Sequence, residues 1–216
     1  MIKSKGNMYD WVDYTWNPIK GKCEHDCSYC YMKRFGKQNP IHLDKKELKK
    51  DLGKNNKIFV GSSIDLFAND IPDGWIRKVF NYISNFDNTY YFQSKNVQRM
   101  WKWSCEPYIF GTTIETNRTY EKIMQNSPPV ETRGFHLGLI PTKKFITIEP
   151  IMDFDMKEFI HLIEYAQPNF VNVGADSGNN KLPEPSKEKI LNLINELSKF
   201  TKVNIKSNLL RLIKGK

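Results

Sequence analysis

Lys57-Ile58-Phe59-Val60-Gly61-Ser62-Ser63-Ile64-Asp65 opens on an apolar, β-rich run and closes on small and charged residues. A little further on, Pro72-Asp73 begins a stretch in which Trp75, Val79 and Ile83 recur every four residues. The first run predicts a strand and the second an amphipathic helix behind a Pro-Asp start. Residues 57–83 therefore read as one strand–loop–helix unit.

The unit recurs along the chain. Apolar or β-branched runs predict further strands at Thr89–Gln93, Tyr108–Thr113, Phe145–Glu149, Phe170–Gly174 and Val203–Lys206. Helical spacing links Phe159, Leu162, Ile163 and Ala166, and again Ile190, Leu193, Ile194 and Leu197. Shorter helices are expected over Val97–Trp103 and Asn117–Gln125. Strands alternating with helices pair in parallel through right-handed crossovers, which predicts an α/β fold. A complete eight-unit barrel takes about 250 residues. This chain has 216, with six predicted strands and one more near Asp13–Pro18. The expectation is a partial, open parallel β/α barrel of about six strands, with a flavodoxin-like doubly wound sheet as the alternative.

Each predicted strand runs out into polar residues: Ser62, Ser63 and Asp65, then Gln93 and Lys95, Thr113 and Glu115, Glu149, Asp176, and Lys206. In parallel α/β folds that carboxyl edge is where strand-to-helix loops converge and ligands bind. Loops are polar in any case, but six charged or polar strand ends in a row favour a shared pocket.

Composition narrows the class. Hydrophobic residues are 39% and aromatics 13%, enough for a core, and one domain over residues 1–216 is expected. No apolar run approaches the ~18 residues of a membrane span, and Met1-Ile2-Lys3-Ser4-Lys5 lacks a signal-peptide segment. A soluble, cytoplasmic monomer is expected. The formal charge is +9, and residues 1–57 hold 13 Lys or Arg against 7 Asp or Glu. Such a region suits nucleic acid, a nucleotide or an acidic redox partner, and equally a merely solvated surface.

Three of the four cysteines lie in Cys23-Glu24-His25-Asp26-Cys27-Ser28-Tyr29-Cys30, within a loop at 21–31. Clustered cysteines in a chain without export signals indicate metal rather than disulfides. Three thiolates on one short loop suit three irons of a cubane cluster and leave the fourth iron open to a small ligand. Gly21 permits a turn before the motif, and Tyr29 and Tyr31 flank Cys30. Zinc is the rival metal, with His25 as a fourth ligand of a structural site on a nucleic-acid-binding module. His25 lies only two residues from both Cys23 and Cys27, an awkward spacing, and a solvated loop histidine is the simpler expectation. Cys105, among Trp101, Trp103 and Tyr108, is expected to be a small buried hydrophobe.

The C-x3-C-x2-C spacing with an aromatic before the last cysteine resembles the radical S-adenosylmethionine superfamily. That resemblance implies a partial barrel, a 4Fe-4S cluster on Cys23, Cys27 and Cys30, and S-adenosylmethionine chelated to the open iron. It also implies reductive cleavage to a 5′-deoxyadenosyl radical, hydrogen abstraction from a substrate, and a flavodoxin- or ferredoxin-type electron donor. A wider likeness runs through Thr15-Trp16-Asn17-Pro18, the cysteine loop, Ser62–Phe67, Ile148-Glu149-Pro150 and Val173–Gly178. It resembles a phage-associated family of unknown function related to spore photoproduct lyase-like proteins. That family carries Gly-Gly-Glu-Ser where this chain has Gly174-Ala175-Asp176-Ser177. Within the resemblance, Tyr29, Ser62, Ser63, Asp65, Gln93, Lys95, Thr113 and Glu115 are expected on the cofactor. Glu149, Asp176 and Lys206, from later strand ends, are expected on the substrate side, the substrate class being a nucleobase, nucleotide or nucleic acid. Glu149 is equally suited to an ion pair with Lys206 or Arg118.

Overall fold

The structure is a computed structural model in which residues 1–214 are described. The strands are β1 (Ile2–Lys3), β2 (Tyr14–Trp16), β3 (Ile19–Lys20), β4 (His42–Leu43), β5 (Lys57–Val60), β6 (Thr89–Gln93), β7 (Ile109–Thr113), β8 (Lys144–Ile148), β9 (Phe170–Val173) and β10 (Lys202–Ile205). The helices are α1 (Asp73–Ile83), α2 (Val97–Trp101), α3 (Glu121–Met124), α4 (Val130–Gly138), α5 (Met156–Ala166), α6 (Lys187–Leu197) and α7 (Leu210–Ile213).

Eight strands form one sheet in the order β1-β2-β5-β6-β7-β8-β9-β10. The pairings from β2 through β10 are all parallel, and only β1 joins antiparallel. The six expected strands and the one near Asp13–Pro18 are present, and β1 makes the sheet wider than the sequence pattern indicates. At two residues, β1 is too short to carry a period of two. The strand order follows chain order and never reverses. Right-handed crossovers taken always in one direction place successive helices on the same face, the winding of a barrel rather than of a flavodoxin-like sheet. β1 and β10 stay as free edges, so the sheet is open.

The main core lies between sheet and helices. Ile58, Val60, Phe92, Phe110, Ile146, Ile148, Val171 and Val173 pack there with Ile76, Val79, Phe159, Ile163, Ile190 and Leu193. Because side chains alternate along a strand, the residues between them face the other way. Phe59, Tyr91, Ile109 and Phe145 join Tyr9 and Val12 in a second, smaller core. The chain before β2 thus plugs this inner face. Tyr9 stacks on Trp11 at 4.9 Å, and Trp11 meets the Phe145 and Phe170 rings edge-on. Phe145 lies over β7 so closely that a Cβ on Gly111 would meet its ring at 2.5 Å. Glycine is what allows that ring to sit there.

One step toward the carboxyl edge, the inner face becomes polar. Tyr9 donates to Gln93 (2.8 Å) and shares a hydrogen bond with Thr147 (2.7 Å), while Gln93 donates to Thr113 (2.8 Å). Asn172 accepts from Trp11 (3.2 Å) and Asn204 (3.1 Å). This layer closes the floor of whatever lies above it. Among the described residues, no helix is long and apolar enough to cross a membrane.

Candidate functional site

The cysteine loop is an excursion between the two strands of the β3–β4 ribbon, which pair Ile19 with Leu43 and Lys20 with His42. Gly21 starts it at φ 129°, where a Cβ would lie 2.6 Å from the Ile41 backbone. The loop therefore leaves and re-enters through one tight neck. It rests on the segment around α3: Ser28 N–H donates to the Ile123 carbonyl (2.9 Å) and Asn126 N–H to the His25 carbonyl (3.1 Å).

Asp65 ties this loop to two strand ends. Its Oδ2 accepts from His25 Nε2 (2.8 Å), Ser94 Oγ (3.0 Å) and the Lys95 amide (2.8 Å), and its Oδ1 accepts from the Phe67 amide (2.9 Å). Burial works against the Asp65 charge, yet His25 and these donors hold its carboxyl below the usual range. His25 is accordingly buried and structural, not the solvated loop residue its neighbours in sequence suggest. It sends Nε2 to a carboxylate, and Nδ1 stays without a partner. Among the described residues, no three His, Cys, Asp or Glu side chains converge on one point as a single zinc ion needs. Thiolates of a cubane each take a separate iron and need no such convergence.

Below the loop lies a charged cluster built by strand alternation. Lys95 lies two residues beyond the end of β6 and Glu115 two beyond β7, in line with Gln93 and Thr113. Lys95 Nζ is 2.8 Å from Glu115 Oε1 and 3.0 Å from Cys27 Sγ. Tyr29 donates its hydroxyl to Glu115 and accepts from Lys95, whose ammonium also sits 4.6 Å from the Tyr29 ring centre. From α4, Arg133 reaches Glu115 Oε2 (2.8 Å), the Thr113 carbonyl (2.9 Å) and the Pro128 carbonyl (2.7 Å). Burial opposes the Glu115 charge, but Arg133 first and Lys95 next pull its carboxyl down to about 2.

The three thiols differ. Burial pushes Cys23 up to about 12, although the Asp65 and His25 amides donate to its sulfur. Burial likewise raises Cys30, with the Met32 amide opposing it. Cys27 is buried too, but the Lys95 ammonium and the Ser127 hydroxyl, 3.2 Å from its sulfur, bring its thiol below the ordinary value.

Ser62 and Ser63 lie beside the loop on Asn17, which exchanges hydrogen bonds with Ser62 Oγ (3.1 and 3.2 Å) and accepts from the Ser63 amide (3.0 Å). Ser63 Oγ is buried without a partner. A second cluster sits at the same edge further along the sheet. Glu149 Oε2 pairs with Lys206 Nζ (2.6 Å), and its Oε1 accepts from Asn7 and Asn208 (2.7 Å each). Arg118, the other partner considered for Glu149, instead binds Asp153 and Asp155. Asp176 turns its carboxylate onto its own loop, accepting from the Gly178 amide (2.9 Å) and Asn180 Nδ2 (2.6 Å).

Residues 7–196 match a family model described as "Protein of unknown function (DUF5131)". The chain belongs to that family. Its fold is shared with spore photoproduct lyase. A single-substitution variant of that enzyme aligns at 11% identity and TM-score 0.64, covering 93% of this chain and 78% of the lyase. Its complex with dinucleoside spore photoproduct aligns at 11% identity and TM-score 0.63, with the same coverage. The anSMEcpe structure with bound AdoMet and Cp18Cys peptide aligns at 10% identity and TM-score 0.53, covering 89% of this chain and 62% of that one. At these identities the likeness establishes the fold alone, shared with spore photoproduct lyase and with a structure that binds S-adenosylmethionine (AdoMet). No curated protein matches the chain in sequence.

The structure thus gathers Tyr29, Lys95 and Glu115 with Cys27, and places Gln93 and Thr113 beneath them and Asp65, Ser62 and Ser63 beside them. Glu149 and Lys206 form a separate pair, and the Asp176 carboxylate bonds its own loop rather than either cluster. Cys105 is exposed rather than buried. Arg133, Ser127, Asn7 and Asn208 were missed. Arg133 had a signal: Val130, Arg133, Gly134 and Leu137 all share the buried face of α4, where a lone arginine calls for a buried acid.

Proposed function

We propose that the protein is a radical AdoMet enzyme acting on a nucleotide or nucleic acid. Cys23, Cys27 and Cys30 would hold a 4Fe-4S cluster, with AdoMet bound beside it. The reading is carried by one observation: a loop bearing three thiols stands at the carboxyl edge of an open, singly wound parallel sheet, with Cys27 Sγ 3.0 Å from Lys95 of a buried Lys95–Tyr29–Glu115 cluster. The donor set fits the group, since three cysteines leave one iron of four for the cofactor. When bound, cluster and AdoMet supply a one-electron cleavage of a carbon–sulfur bond and a 5′-deoxyadenosyl radical that takes hydrogen from substrate.

The chain's own residues bind, orient and shield. Amide donors to the sulfurs of Cys23 and Cys30, and Lys95 beside Cys27, offset the negative charge of thiolates removed from water. Lys95 is also the countercharge for the methionine carboxylate, and Glu115 keeps that ammonium charged and aimed. Ser63 Oγ, unpartnered and buried, is an acceptor for the methionine ammonium. Asp65 positions the loop rather than meeting the cofactor, because its oxygens already accept four hydrogen bonds. Gln93 and Thr113 support Lys95 and Glu115 from below and keep water out of the floor. Glu149 and Lys206 act on the substrate side as an ion pair, and Asp176 shapes the adjoining loop.

The nucleotide or nucleic-acid substrate is supported by the +9 charge and by the photoproduct bound to the structurally similar lyase. A flavodoxin or ferredoxin would supply electrons in the cytoplasm. The test is electron paramagnetic resonance of the reduced, anaerobically reconstituted protein. Adding AdoMet is expected to change the cluster signal in wild type and to change it much less in Lys95→Ala. A fully loaded cluster indifferent to AdoMet would contradict the reading.

A further inference from the structure

The stretch that follows the third cysteine is built for contact rather than for packing. Tyr31–Phe35 forms a short 3-10 turn in which no residue is buried. Phe35 is 71% exposed and Tyr31 43% exposed, with their rings 6.4 Å apart at 86°. Lys33, Arg34 and Lys37 are exposed among them. Among the described residues, the salt bridge made by these cations is that of Lys33 Nζ to Asp26 (3.0 Å), an acid that also lies 4.0 Å from Lys22 Nζ. Arg34 reaches the Ser177 hydroxyl at 3.3 Å, so the turn spans from the cysteine loop to the loop carrying Asp176. Tyr31 donates to the Ser62 carbonyl (2.8 Å), which anchors one end beside the proposed cofactor position.

Resting on the radical reading above, we infer that Tyr31–Lys37 is the docking platform for a single-stranded nucleic-acid substrate. Phe35 stacks on a base, and Lys33, Arg34 and Lys37 take the flanking phosphates. Exposed phenyl rings are unfavourable in water, and base faces cover them whatever the sequence. The interleaving of rings with cations distinguishes this occupant from an acidic protein. Phosphates match the cations and bases match the rings, whereas carboxylates match only the cations. The anchors at Ser62 and Ser177 place the bound strand across the same edge as the cysteine loop and the 174–178 loop. An unpaired strand is required, because a base must leave its stack to lie on a ring.

The test is fluorescence anisotropy of the cluster-reconstituted full chain, under nitrogen, with a labelled 12-nucleotide single strand and its duplex. Wild type is expected to prefer the single strand. Phe35→Ala should weaken binding roughly 5- to 100-fold, the loss of one stacked base, and Phe35→Trp should restore it. Lys37→Ala should lower the slope of log affinity against log salt by about 0.7, one phosphate contact. Iron content and dithionite-driven 5′-deoxyadenosine formation are measured on the same preparations, since neither residue belongs to the cofactor site. No single-strand binding by wild type, or equal binding by Phe35→Ala, with those two readouts intact, overturns the platform and leaves the radical reading standing. Phe35→Ala that binds oligonucleotide normally but loses reduction by a flavodoxin also overturns it, and assigns the surface to an electron donor.

Discussion

Arg133 Nη1 lies 2.8 Å from Glu115 Oε2, and both side chains are completely shielded from solvent. Glu115 shares its other oxygen between Lys95 and Tyr29, so the pair joins α4 to the underside of the cysteine loop. The site is therefore charged at its deepest point.

Arg133→Met should cost about 3–5 kcal/mol, because it leaves part of the Glu115 charge buried and uncompensated. Adding Glu115→Leu to that variant should recover little of the loss, because it leaves the Lys95 ammonium buried without its carboxylate. Urea unfolding of the two variants and wild type, monitored by circular dichroism, measures both effects.

The same pair predicts an acid-sensitive window. The folded carboxyl of Glu115 sits at about 2 against an ordinary 4.5. A depressed folded value means that the unfolded chain binds the proton first. The contribution to stability is thus complete above 4.5 and is lost as pH falls toward 2. Glu115→Gln should be less stable at neutral pH and should show a flatter stability curve over that interval. An unchanged slope between wild type and variant would remove this role from Glu115.

Asp65 should control how well the cysteine loop is held for metal. Its carboxylate bonds His25, Ser94 and the Lys95 amide together. Asp65→Ala is expected to lower iron retained after reconstitution several-fold, whereas Cys105→Ser should keep wild-type iron, since Cys105 is exposed and separate from the motif. Iron and sulfide assays on desalted protein decide it.

Gly111→Ala should destabilise the inner core by about 1–3 kcal/mol, the cost of forcing a methyl into a packed ring. Its Cβ would meet Phe145 at 2.5 Å, and Phe145 is itself stacked on Phe170 at 5.2 Å. Phe145→Leu in the same chain should relieve part of the clash, as thermal melts of the single and double variants would show.

How much of this was legible in the sequence follows from what each feature depends on. The strands from β5 to β9 were readable because each is a short, largely buried run ending in polar residues, whereas β10, with no buried residue, was readable from its β-branched Val203 and Ile205. The inner-face order Tyr91, Gln93, Lys95 follows from alternation alone. The α4 helix was not, since Arg133 and Gly134 interrupt its apolar face, and the reason for an arginine there is Glu115 on a neighbouring element. His25 was misjudged because its burial is set by Asp65, 40 residues away in the chain. Glu149 and Asn7 meet across 142 residues, a contact fixed by the N-terminal plug that no local pattern encodes.

The most direct test of the radical reading is anaerobic reconstitution followed by AdoMet and dithionite. Wild type should contain about four irons and four sulfides per chain and release 5′-deoxyadenosine, and Cys27→Ala should release none. Protein never exposed to air that carries stoichiometric zinc, takes up no cluster and forms no 5′-deoxyadenosine would contradict it.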